Sequence, residues 1–131
     1  LESPVVDWRP VLGYQANLRG LPKQMAGLTI SALSRGWSTK AAGGDEAVPF
    51  DRLDIVSRAA ELSHPVLLLH SDDDGFVPAG PSRDLAQARP DLVEMHAFAT
   101  ARHTKLWNYD EARWANRISS WLTKQGVNSN A

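Results

Sequence analysis

Pro65-Val66-Leu67-Leu68-Leu69-His70-Ser71-Asp72-Asp73-Asp74-Gly75-Phe76-Val77-Pro78 is the stretch that decides the fold. Four aliphatic residues in a row, closed by Pro on one side and an Asp cluster on the other, have the pattern of a strand buried on both faces. A strand with one wet face would alternate apolar and polar residues instead. Such a strand needs a layer on each side, and a parallel sheet covered by helices is its simplest host. The residues downstream agree. Residues 81–89 have a helical pattern, Pro90-Asp91 a turn, and residues 92–98 a second strand. There Val93, Met95 and Ala97 alternate with Leu92, Glu94, His96 and Phe98, which places this strand nearer a sheet edge. Residues 110–124 read as a closing helix with Trp114, Ile118, Trp121 and Leu122 on one stripe and Gly126 just past its end. Strand, helix, strand and helix in that order predict a right-handed parallel crossover and an α/β fold.

Upstream the pattern changes. Residues 10–18 and 22–35 carry Val11, Leu12 and Leu18, then Met25, Leu28 and Leu33, at helical spacing, each segment opening on a Pro. Asp7 precedes the first as a candidate cap. Residues 36–49, rich in Gly, Ala, Ser and Thr, read as a loop and mark an internal boundary. Residues 54–62 are expected to form a short amphipathic helix with Ile55, Ala59 and Leu62 on one side. The chain therefore divides into residues 1–50, a strand end followed by a helical segment, and residues 51–131, an α/β core.

Composition removes several function classes. Leu, Val, Ile and Phe make up 30 of 131 residues, above the roughly 20% below which a chain usually fails to bury a core. Zero cysteines exclude disulfide scaffolds, Cys-based zinc sites and Cys nucleophiles. A net charge of -1, with Lys and Arg dispersed, leaves no electrostatic footprint for nucleic acid. No apolar run approaches a membrane span and no signal-peptide layout is present, so a cytoplasmic location is expected.

In open α/β sheets functional groups gather past the carboxyl ends of the strands. Those two places hold Asp72, Asp73 and Asp74 after the first strand and His103 after the second, so an acid and a histidine leave neighbouring strands at one edge. A carboxylate that accepts the imidazole Nδ1 proton fixes the ring's tautomer and leaves Nε2 free as a general base. The three Asp residues lack the alternate spacing of a calcium loop, and His64, His70 and His96 lack metal-ligand spacing, so no metal is expected.

Residues 65–78, with Ser82, Leu85 and Ala86, resemble the segment that bears the triad acid in α/β-hydrolases: an aliphatic strand, His-Gly, two variable residues, Asp, two more, then Val-Pro. On that match the acid is Asp74. Residues 101–110 resemble the family's histidine loop and the start of its last helix, and put the base at His103. Residues 1–8 resemble the end of the strand after the nucleophile helix in bacterial members, and residues 9–50 would be a cap or lid insertion. Ser71 stands where the family usually has Gly. No Gly-x-Ser-x-Gly elbow occurs in the sequence, and Ser31, Ser34 and Ser38 lie in or beside the lid-like segment without one.

The resemblance implies the carboxyl-terminal half of a serine hydrolase that cleaves carboxylic esters or amides without a cofactor, its nucleophile half lying upstream. The 131 residues are then expected to be inactive alone and to self-associate through an open strand edge. Trp37 is the candidate to line an acyl pocket, and Trp107 to anchor the last helix. The alternative is a non-catalytic interaction domain built on the same fold.

Overall fold

The computed structural model describes residues 1–36, 40–41, 43–44 and 46–127. Strand β1 (Val66–Ser71) is buried from Leu67 through Ser71. Successive side chains on a strand point to opposite faces, and here each face meets its own core. Leu68 joins Val6, Ala59, Leu85 and Val93. Leu67 and Leu69 join Phe98, Ala101 and Leu106, backed by Trp114, Ile118 and Trp121. Each fully buried leucine stabilises the fold by about 1.5–3 kcal/mol over an exposed one, so a polar residue at Leu67, Leu68 or Leu69 would forfeit about that much.

Strand β2 (Val93–Phe98) pairs in parallel with β1, from Val66 opposite Val93 to Ser71 opposite Phe98. Only its two end residues are fully buried, as an edge position requires. Between the strands runs helix α1 (Gly80–Ala88), with Pro81 in its first turn and Leu85 facing the core. After β2 come the single turn α2 (Leu106–Tyr109) and then α3 (Glu111–Lys124), which covers the opposite face. Asp110 caps α3 by accepting the Arg113 N–H at 3.0 Å, and Gly126, at φ 79°, follows its last turn. The result is mixed α/β, with a short parallel sheet between helical layers.

Residues 1–3 lie along β1 on the side away from β2, through Leu1 N to Leu67 O at 2.7 Å, Leu69 N to Leu1 O at 2.9 Å and Ser3 N to Leu69 O at 2.9 Å. Three backbone groups on the outer edge of β1 are thereby paired, where the sequence led us to expect an open edge. Helix α4 (Trp8–Leu18) opens at Asp7, whose side chain accepts the Arg9 N–H at 2.9 Å, and packs against helix α5 (Lys23–Ser34).

Residues 54–62 depart from the expected α-helix. They form turns ending in a 3-10 segment, Ala59–Glu61. The Ile55 N–H is committed to Val6 O at 2.8 Å, and the later hydrogen bonds close three residues apart, as in Leu62 N to Ala59 O. Ile55 consequently points outward, 38% exposed, and Val56 packs in its place. No helix among the described residues is long and apolar enough to cross a membrane.

Candidate active site

Past the carboxyl end of β1 the chain continues its ladder for one residue, Asp72 N donating to Phe98 O at 2.7 Å, and then turns. The turn is built around Asp74. Its Oδ1 accepts the backbone N–H groups of Phe76 and Val77, both at 2.9 Å, an arrangement in which the side chain closes its own loop. Its Oδ2 is left for other partners, and His103 Nδ1 lies 2.9 Å from it. The structure thus brings together the two residues singled out from the sequence.

Burial alone would raise the Asp74 carboxyl. Hydrogen bonds from the Val77 N–H, His103, the Phe76 N–H and Ser3 outweigh it and hold the group below the usual carboxylate range. Asp74 is therefore ionised at neutral pH and only accepts, so the proton in the Asp74–His103 contact sits on Nδ1. The acid is sealed, its side chain 0% exposed, whereas the imidazole is 32% exposed. A buried carboxylate behind a partly open ring leaves Nε2 as the nitrogen free for proton transfer. Phe76 stands beside the ring, centroids 5.2 Å apart, and is itself half-exposed.

Under the turn lies a second imidazole. His70, fully buried, has Nε2 3.1 Å from Val77 O and Nδ1 2.9 Å from Ser82 Oγ. The carbonyl can only accept, so Nε2 carries the proton and Ser82 donates its hydroxyl to Nδ1. Burial holds His70 below the ordinary imidazole value, against the opposing pull of the Val77 carbonyl and of Asp74, whose Oδ2 is 3.5 Å away. It is a neutral prop for the acid turn. Ser71, where a glycine is usual in the resembling family, is buried with its hydroxyl accepting the Asp73 N–H at 3.1 Å, so the turn absorbs the change.

Helix α4 reaches over the same turn. Tyr14 donates its hydroxyl to Asp74 O at 3.4 Å, and Gln15 donates its amide to Phe76 O at 2.8 Å. Neither residue was a candidate from sequence, nor were Glu2 and Ser3. Ser3 is buried, with its Oγ 3.5 Å from the Thr104 N–H. Glu2 accepts the Leu106 N–H at 3.1 Å and the Trp114 indole N–H at 2.9 Å. These partners are about a hundred residues away, beyond any local pattern. Trp37 lies outside the described residues. Trp107 packs edge-on against Trp114 of α3, with centroids 5.1 Å apart. His96 pairs with Glu94 at 2.8 Å on the sheet edge, and His64 with Ser63 at 2.9 Å, both away from the acid turn.

The chain shares its fold with an esterase. A solved structure of an esterase from Pyrococcus furiosus superposes with a TM-score of 0.56 at 13% identity, covering 94% of this chain and 42% of that one. This chain therefore spans less than half the length of the esterase it matches. No family model matches the sequence, and no curated protein matches it either. The likeness is one of fold, a mixed α/β arrangement in which the described residues form a two-stranded parallel sheet.

Proposed function

We propose that these 131 residues carry the acid and the general base of a serine α/β-hydrolase that cleaves a carboxylic ester or amide through an acyl-enzyme. The observation that carries the reading is the 2.9 Å contact between a sealed, ionised Asp74 and Nδ1 of a half-open His103. In this reading His103 Nε2 takes the proton of a serine hydroxyl as the oxygen attacks the substrate carbonyl. Asp74 stabilises the imidazolium so formed, and Nε2 then protonates the leaving alcohol or amine. Water enters by the same route in reverse. No cofactor is needed.

The serine is assigned to chain outside these residues. The sequence has no Gly-x-Ser-x-Gly elbow, and the serines around the acid turn are engaged: Ser82 with His70, Ser71 with the Asp73 amide. Substrate choice is assigned to the lid-like segment from about Trp8 onward and to the complementary half.

A serine-directed phosphonate, read by intact mass, tests the assignment. The 131-residue chain should take up no label. A single labelled serine, lost in His103→Ala, would overturn the placement of the nucleophile. A longer protein that includes this sequence should label at one serine upstream of Leu1, and His103→Ala should slow that acylation by roughly 10⁴-fold or more. Absence of labelling there would favour a non-catalytic domain.

A further inference from the structure

We propose that Glu2 is a positioning residue for His103, a carboxylate that pins the histidine loop to the sheet from the segment lying along the far side of β1, with Ser3 as its second point of contact. The inference rests on the acid–base reading above and deepens it. His103 sits in a loop whose next residues are Thr104, Lys105 and Leu106; Ala101 and Leu106 pack in the core on either side of it, and the polar backbone between and beside them needs partners of its own. Two side chains from residues 1–3 supply them. Glu2 presents one oxygen to the Leu106 N–H at 3.1 Å, three residues after His103, and the other to the Trp114 indole N–H at 2.9 Å in α3. Two donors converge on one residue, so both of its oxygens must accept. A carboxylate satisfies that demand and an amide does not.

Ser3 adds an independent observation. Among the described residues, Ser3 (φ 45°) and Thr104 (φ 50°) are the two non-glycines in the left-handed region. They face one another, with the Thr104 N–H 3.5 Å from Ser3 Oγ. Backbone held in this costly region persists only where its surroundings enforce it, and such residues cluster at functional sites. Here both members of the strained pair flank the Asp74–His103 contact, at the seam where the strand end meets the histidine loop.

Glu2→Gln is the sharp test, because it keeps the shape and offers one acceptor to two donors. A donor left facing an NH₂ group opens its loop about tenfold more often. Whichever donor the Gln nitrogen then faces, the Leu106 amide or the Trp114 indole N–H, should exchange about tenfold faster. The ratio of Nδ1–H to Nε2–H tautomer in neutral His103, read from its imidazole ¹⁵N shifts in the 131-residue chain, should fall toward that of Asp74→Asn. In a Trp114→Phe background one donor is gone, the amide suffices, and the effect of Glu2→Gln should largely disappear. Arg89→Ala, which removes a clasp on Ala59 O and Leu62 O on the other face, should lower stability without moving the tautomer ratio.

If Asp74→Asn shifts the ratio and Glu2→Gln does not, the pair stands and the role of Glu2 is refuted. If Asp74→Asn itself leaves the ratio unchanged, the acid–base reading falls and this inference with it. An equal shift in Arg89→Ala would also refute it, since loss of stability alone would then account for the effect. Should Glu2→Gln not fold, Glu2→Asp decides, because the shorter carboxylate draws back from the Leu106 N–H: a shift of the same sign is expected, and none overturns the proposal.

Discussion

Asp74→Asn probes the acid–base pair with almost no change in shape, and the structure dictates which way the new amide must face. Oδ1 accepts two backbone N–H groups, from Phe76 and Val77, each at 2.9 Å. An NH₂ placed there would confront two donors at once, so the Asn oxygen must stay with the turn. Its nitrogen is thereby aimed at His103 Nδ1, the atom 2.9 Å from Oδ2 in the native chain. A donor now meets a donor, unless the imidazole moves its proton to Nε2 and accepts through Nδ1. The ring is expected to switch tautomer and keep its position.

The size of the switch is set by the bond exchanged. A hydrogen bond to a charged group contributes about 1.5–3 kcal/mol, which corresponds to a bias of about 10- to 150-fold toward the Nδ1–H tautomer in the native chain. In Asp74→Asn the bias should reverse. The assay is the ¹⁵N shift of each ring nitrogen at a pH where His103 is neutral. In an active longer protein the same substitution puts a proton on the nitrogen that should act as base, at a cost on the order of 10⁴ in kcat. Native chain dominated by the Nε2–H tautomer, or a variant that keeps the native ratio, would refute the reasoning whatever the activity.

Three further outcomes are expected. His70 is held below its ordinary value of 6.5 by burial, so the unfolded chain binds a proton that the folded chain refuses. Stability should begin to fall once pH drops below about 6.5, by up to about 1.4 kcal/mol per pH unit, and His70→Gln should flatten that limb in urea titrations. Asp74, also depressed, acts only below its ordinary 3.8, so equal slopes for the two proteins between pH 6 and about 4.5 would contradict the assignment. Asp110→Ala removes the acceptor of the Arg113 N–H and should cost about 1 kcal/mol, a fall of about 3–6 °C in Tm by calorimetry. The chain is also expected to self-associate: a groove of about 410 Å³ lined by Leu1, Val66, Leu67, Ile118, Trp121 and Leu122 leaves apolar surface in water. Light scattering at ~100 µM that shows a single monomer with a cooperative melt would remove that expectation.

The features legible in the sequence are those that short-range pattern encodes. The leucine run announced a strand with two covered faces because every residue in it is apolar, and Leu68 and Leu67 do enter different cores. The stripe of Trp114, Ile118 and Trp121 announced a helix lying on one of those faces. Residues 54–62 misled for a related reason. Their apolar spacing suits an α-helix, but a tertiary bond from Ile55 to Val6 takes over the first amide, and the residues up to Leu62 tighten into three-residue turns. Glu2 and Ser3 left no signal, because an acid and a serine at a strand end acquire meaning only when residues 104, 106 and 114 arrive above them.

The choice among three consecutive aspartates shows how far a motif's spacing can be justified physically. Asp72 still belongs to the strand ladder, through its amide to Phe98 O, and its exposed side chain pairs with Arg83 of α1. The Asp73 amide is taken by the Ser71 hydroxyl, and its side chain faces water. Only at the third residue has the chain left the ladder and turned back over the sheet. There a carboxylate can close its own turn with one oxygen and offer the other across to the neighbouring strand's loop. An acid placed one or two residues earlier stays with solvent-side groups and never reaches His103. The number of residues between the strand's last ladder bond and the acid therefore decides which aspartate meets the imidazole. Asp74→Ala, with Asp72 and Asp73 retained, should leave His103 without a carboxylate partner even though two aspartates remain next to the strand. A His103 imidazole in that variant whose ¹⁵N shifts still report a dominant Nδ1–H tautomer would mean that a neighbouring aspartate had taken over, and would overturn the spacing argument.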